Sequence, residues 1–170
     1  MFQKGDLVVH PKYGTGTVSN VRTMSYKGVE RTYFCIALTH NRGEVMIPAD
    51  RVEQAGLRQP LRDTRLVEEV METLPQALSD DARLRQLEIE DGLHSGDSLR
   101  LMQTLRDVCW REQMTKLSYK DRQLKESALN KLFEELTLGL STPSETLKQT
   151  LERIIEQAMQ RHIAVAGGSG

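Results

Sequence analysis

Gly5-Asp6-Leu7-Val8-Val9-His10-Pro11-Lys12-Tyr13-Gly14-Thr15-Gly16-Thr17-Val18 opens a chain of 170 residues and sets how its first third is read. Leu7-Val8-Val9 is a short β-prone run, and Gly14 and Gly16 bracket a tight turn. From Thr17 to Arg22 apolar and polar residues alternate, with Val18 and Val21 among polar neighbours. A period of two predicts strands, and the glycines interrupt any helical reading. Lys27-Gly28 is a hairpin turn, because glycine accepts positive φ without a Cβ clash. Thr32 to Thr39 is aromatic and aliphatic, Asn41-Arg42-Gly43 turns the chain again, and Val45-Met46-Ile47 is a last strand ended by Pro48. By alternation only one of Met46 and Ile47 points inward; Met46 is expected outward and Ile47 in the core. Short strands with glycine-bearing turns over some fifty residues predict a small, strongly bent sheet or barrel.

Beyond Leu57 the composition changes. Five of the eight aromatic residues (Phe2, Tyr13, Tyr26, Tyr33, Phe34) fall in the first 34 positions, and Leu dominates afterwards. Five helices are predicted. The first covers 64–74 and stops at Pro75. The second starts near Ser79, with Asp80 and Asp81 at its positive end, and stops around Gly92–Gly96. The third runs from Asp97 or Ser98 to Lys116, with Leu101, Leu105 and Val108 facing inward. The fourth opens with Ser118-Tyr119-Lys120-Asp121, close to a capping box, and carries Leu124, Ala128, Leu132 and Leu136 at i+4 spacing. The fifth opens with Thr142-Pro143-Ser144-Glu145, read as an N-cap Thr followed by Pro at the first helical position; Leu147, Leu151, Ile154, Ile155 and Met159 form its buried face. The fold class is therefore α+β: residues 1–58 a small bent sheet or barrel, 59–63 a linker, 64–165 an all-α bundle, and 166–170 a disordered tail.

Charge is distributed unevenly. The total is −1, yet residues 1–60 carry eight Lys/Arg against five acids. Residues 61–97 carry ten acids against four Arg, and residues 98–132 carry eight Lys/Arg against four acids. No apolar run approaches the roughly 20 residues of a bilayer span. The N-terminus lacks a basic segment followed by a long apolar one, so no signal peptide is expected there. Cys35 and Cys109 stand far apart, and with four scattered histidines they form neither a zinc pattern nor a disulfide framework. A reducing cytoplasm is the expected location.

Enzyme chemistry finds little to stand on. GxxxxGK[ST], HExxH and GxSxG patterns are absent. The acid pairs Glu68-Glu69 and Asp80-Asp81 read as solvated helix surface or helix start. His10 reads as a structural or surface residue, and Cys35 and Cys109 as core. No nucleophile, base and orienting group assemble, so no catalytic residue, metal or cofactor is expected.

The stretch Gly5–Val18 resembles the opening of the CarD/CdnL family of bacterial RNA polymerase-binding regulators, and the related Tudor-like modules of the repair-coupling translocase and some helicase tails. The likeness continues through Tyr26-Lys27-Gly28, Tyr33, Val45-Met46-Ile47-Pro48-Ala49 and Val52-Glu53-Gln54-Ala55-Gly56-Leu57-Arg58. It resumes at Ser95-Gly96-Asp97, Leu105-Arg106-Asp107 and Leu117-Ser118, and so spans most of 2–140. Motor motifs are absent, which leaves the stand-alone regulator as the match.

The resemblance implies that the Tudor-like domain docks on the RNA polymerase β subunit. It implies that the helical domain touches promoter DNA at the upstream edge of the bubble, helping open complexes form or persist without reading sequence. Membranes and small-molecule substrates are not expected partners; the protein would sit at the nucleoid through the polymerase. Polymerase-facing positions would be Met24 and Ser25, together with Val45, Met46 and Pro48 of the strand Val45–Pro48, an edge strand able to extend its pairing. Family members insert a Trp as an apolar wedge. Counting back about fifteen residues from Asp97 lands on Ala82, so that wedge is missing or supplied from elsewhere. Phosphate contacts are expected from Arg83, Arg85, Arg106, Lys120, Arg122 and Lys125. Trp110 is either a displaced wedge or a residue packed between helices. The alternative is a protein–protein adaptor that binds polymerase and has lost DNA contact.

Overall fold

The computed structural model describes residues 1–140 and 142–168, with Tyr26 described through its backbone. The chain divides into two compact units, Met1–Leu61 and Arg62–Gly170.

The first unit is one antiparallel sheet in sequence order: β1 (Leu7–His10), β2 (Gly14–Tyr26), β3 (Val29–Leu38) and β4 (Glu44–Pro48). The β2–β3 turn is the expected Lys27-Gly28, with φ of 51° and 78°. Two successive left-handed residues match the right-handed twist of the strands they join. An irregularity in register between Val18 and Asn20 bends β2, as an extra residue in one strand does. The bend wraps one face around Val8, Val18, Phe34, Ile36, Ile47 and Leu57. Phe2 packs its edge on Phe34 at 6.0 Å between ring centroids. Ile47 is buried, and Met46 is 38% exposed, as the alternation predicts.

The two edges of the sheet differ. Outside β1, the Val9 N–H donates to the Arg58 carbonyl (2.8 Å) and the Arg58 N–H donates back (3.1 Å). Outside β4, no backbone hydrogen bond among the described residues continues the ladder.

The second unit contains α1 (Arg65–Glu72), α2 (Ala82–His94), α3 (Ser98–Met114), α4 (Tyr119–Gly139) and α5 (Ser144–Gly167). Helix α3 packs against all four others. Its Leu101, Met102, Leu105 and Val108 meet Val67, Val70 and Met71 of α1, together with the Leu124–Leu136 stripe and the Leu147–Met159 face, in a buried core. Asp81 and Asp97 accept the N–H groups of Leu84 and Leu99 at the starts of α2 and α3. Helix α4 carries the full capping box: the Asp121 N–H donates to Ser118 Oγ (3.1 Å), and the Ser118 N–H donates to Asp121 Oδ2 (3.4 Å). Helices α2 and α3 approach closely at Gly92, where an added Cβ would lie 1.9 Å from Thr104 Oγ1.

Two expectations are corrected. Pro143, with an extended ψ of 136°, is the N-cap of α5, so the helix starts one residue later than expected and Thr142 makes no cap. The tail is helical through Gly167, where Ala164, Val165 and Ala166 continue α5 and the Gly168 N–H reaches the Ala164 carbonyl (3.1 Å). The end of the expected disordered tail, Ser169-Gly170, lies outside the described residues.

Candidate functional site

On the sheet, strand pairing fixes which side chains share the face away from the core. Cys35 pairs with Asn20 and Met46, Tyr33 with Arg22 and Pro48, and Arg31 with Met24. Cross-strand partners project to the same side. Met24 and Met46 therefore lie on one face, and both are exposed, at 42% and 38%. Ser25 is exposed, while Val45 and Pro48 are half-buried. Val45 projects with Ile36 toward the core side, so of the predicted docking residues it offers mainly its backbone. Beneath this face Cys35 is buried. Burial first, then the hydrogen bond with Glu44, raises its thiol pKa. The Glu44 carboxylate also accepts from Ser19 Oγ (2.8 Å), which fixes the start of β4.

In the helical unit three helix ends converge. Arg85 in α2 reaches Asp121 in the first turn of α4, Nη2 to Oδ2 at 3.0 Å. Arg111 in α3 reaches Asp80 just before α2 at 3.2 Å. Lys125 of α4 pairs with Glu112 of α3. Around this end Arg83, Lys116, Lys120 and Arg122 are exposed. Lys120 makes a loose pair with Glu90 at 3.4 Å, and Arg122 donates to the Leu117 carbonyl at 3.0 Å. An exposed pair of this kind contributes about 0–1 kcal/mol, so phosphate can displace it. The arrangement can hold an anionic backbone along a stripe of cations.

Three predicted DNA contacts do not reach this surface freely. Arg85 is 5% exposed, with its guanidinium committed to Asp121 and to the Ser79 and Asp80 carbonyls. Arg106 is 4% exposed and pairs with Asp107 at 2.7 Å, with Thr73 Oγ1 as a further acceptor. Both are internal struts, since pulling either side chain out would leave a buried carboxylate unpaired. Lys125 is half-buried and engaged by Glu112. Trp110 is half-buried too: its ring meets His162 edge-on at 6.0 Å, and His162 Nε2 lies 2.8 Å from the Met71 carbonyl oxygen. That position is the inter-helix alternative given for Trp110.

Tyr119 escaped the sequence reading. It is 71% exposed in the first turn of α4, within the cationic stripe. Its signal was present: it falls outside the Leu124–Leu136 stripe and lies between Lys116 and Lys120. Among the described residues no group of three or more His, Cys, Asp or Glu is placed to hold a metal. Among the described residues no helix is long and apolar enough to cross a membrane.

A bent four-stranded sheet followed by five helices defines a two-unit α+β protein of the kind found in CarD-like regulators. The family model for the CarD-like/TRCF RID domain matches residues 2–61, and that for the CarD C-terminal domain matches residues 66–152. The chain belongs to the CarD family, whose members are transcription regulators associated with RNA polymerase. It is 22% identical over 139 residues to the Bacillus subtilis (strain 168) protein named "Putative transcription factor YdeB", covering 80% of this chain and 90% of that protein.

Proposed function

We propose that this regulator docks on the RNA polymerase β subunit through the open edge of β4, and that its helical unit contacts promoter DNA near the upstream edge of the bubble. By that double contact it changes how readily open complexes form or how long they last. The observation that carries the reading is the unpaired outer edge of β4, with Met46 exposed on it. An added strand would satisfy that edge with backbone bonds, while Met24 and Met46 supply adaptable apolar contact. The cations Arg83, Lys116, Lys120 and Arg122 support contact with phosphate. Such contact positions a protein without reading bases, and it would hold the protein at the nucleoid.

A second reading is the adaptor that binds polymerase but not DNA. It is favoured by the internal pairing of Arg85 and Arg106, which removes two cations from the surface. Anisotropy of a labelled forked promoter DNA with polymerase holoenzyme separates the two. On the first reading wild-type protein strengthens the ternary complex, Lys120→Ala/Arg122→Ala weakens it, and Met46→Asp abolishes polymerase binding. Polymerase binding that responds to neither DNA nor the charge variant selects the adaptor. No polymerase binding at all overturns both.

A further inference from the structure

We propose that Tyr119 is a base-stacking residue, on whose ring an unpaired nucleobase lies while Lys116 and Arg122 hold the flanking phosphates. This deepens the DNA contact proposed above and rests on it. Tyr119 is 71% exposed, the most exposed aromatic side chain among those described. The fold makes no packing use of the ring. Its side-chain hydrogen bond among the described residues is local, from Gln123 Nε2 to the phenol oxygen at 2.9 Å, one helical turn on. That bond pins the phenol along the α4 surface and leaves the ring in solvent. A pinned ring loses less freedom when a partner stacks on it than a free one does.

The charges around it select the partner. Lys116 precedes it by three residues, Lys120 follows it, and Arg122 lies three residues on, where helical neighbours share a face. All three are exposed, and the nearest acid in sequence, Asp121, is buried under Arg85. An exposed aromatic ring with cations before and after it in the chain suits a nucleic acid better than a protein surface, and the one acid beside Lys120, Glu90, is held only loosely at 3.4 Å. Every base presents a π-face, so such a platform needs no sequence preference. The end of α4 is not itself the anion site, because Ser118 and Asp121 already accept and cap its first N–H groups. Within a duplex the bases are already stacked, so the ring's occupant is an unpaired base.

The test uses the full chain with polymerase holoenzyme and a forked promoter DNA carrying 2-aminopurine at the unpaired positions. Addition of wild-type protein quenches the probe. Tyr119→Ala loses the quenching and weakens the complex on the order of tenfold. Tyr119→Phe, which keeps the ring, restores both. Fully duplex DNA shows no difference among the three. If Tyr119→Ala quenches and binds as wild type while Lys120→Ala/Arg122→Ala is weakened, stacking is overturned and the DNA contact stands. If neither variant changes anything on DNA, both fall. If Tyr119→Ala weakens polymerase binding without DNA, the ring is a protein contact and the inference is overturned.

Discussion

Arg85 and Asp121 meet through two nitrogens and one oxygen, Nε to Oδ2 at 3.2 Å and Nη2 to the same oxygen at 3.0 Å, with both residues buried. The same Oδ2 takes the Ser118 N–H, so one carboxylate ties α2 to α4 and closes the α4 cap. Burial pushes the Asp121 pKa up, but the bonds from Arg85 and Ser118 outweigh it and hold the carboxyl below the usual range.

Removing one partner leaves the other charge buried. Asp121→Ala is expected to destabilise the helical unit by about 3–5 kcal/mol, read by urea unfolding. Arg85→Met/Asp121→Leu should recover much of that loss, but not the roughly 1 kcal/mol of the lost cap. Because the folded pKa lies below the unfolded one, the stabilisation is present above about pH 4 and is lost as pH falls through the folded value. The acid limb of a pH–stability curve should therefore flatten in the double variant.

His10 carries the opposite pH signature to a histidine stabilised by a carboxylate. Its Nδ1 accepts the Lys12 and Tyr13 N–H groups at 3.1 and 3.2 Å, and its ring lies 4.7 Å from that of Tyr13. Burial, then the nearby Lys12 charge, lowers its pKa. The folded state thus favours the neutral ring, and the unfolded chain binds the proton first. Stability is unaffected above the unfolded value and falls as pH drops below about 6.5. The protection factors of the Lys12 and Tyr13 amides, corrected for the intrinsic pH dependence of exchange, should fall below that pH. His10→Gln should lose the pH dependence.

Gly92 is a packing glycine. A methyl there would meet Thr104 side-chain atoms at 1.9 and 2.9 Å. Gly92→Ala is expected to cost about 1–3 kcal/mol, despite the better helix propensity of Ala. Pairing it with Thr104→Ala should restore most of the loss in the same melt.

Both thiols should be inert in the folded protein. Burial pushes the Cys109 pKa up to about 11, and Cys35 is raised as well. A disulfide-exchange reagent at pH 8 should label neither until denaturant is added. Rapid native labelling of either would contradict its burial.

If Arg122 contacts phosphate, Arg122→Ala should lower the slope of log affinity against log salt by about one. An unchanged slope would remove it from the interface.

Much of the architecture was legible because it rests on local rules. Val18 and Val21 stand among polar neighbours, Leu7-Val8-Val9 and Thr32–Thr39 are β-prone runs, and Lys27-Gly28 provides the turn. The capping box at Ser118 and the i+4 leucines of α4 also followed from spacing. The candidate DNA residues were less legible because charge counting cannot see tertiary pairing. Arg85 lies four residues before Ile89 and eight before Leu93, on the inward stripe of α2, and that spacing was the available sign of burial. Arg106 sits on α3, which is enclosed on several sides, so no single outward face could be read from its period. The end of α5 was misread because glycines suggested a tail, while Ala164–Ala166 favour helix.

The open edge of β4 bears on the protein when no partner is present. An unpaired strand is a template for any other strand, including a second copy of itself. Here the strand is five residues long, opens on the charged Glu44 and closes on Pro48, which has no N–H to give. These features shorten any ladder that two copies could build. Pairing between two copies of this edge is thereby disfavoured.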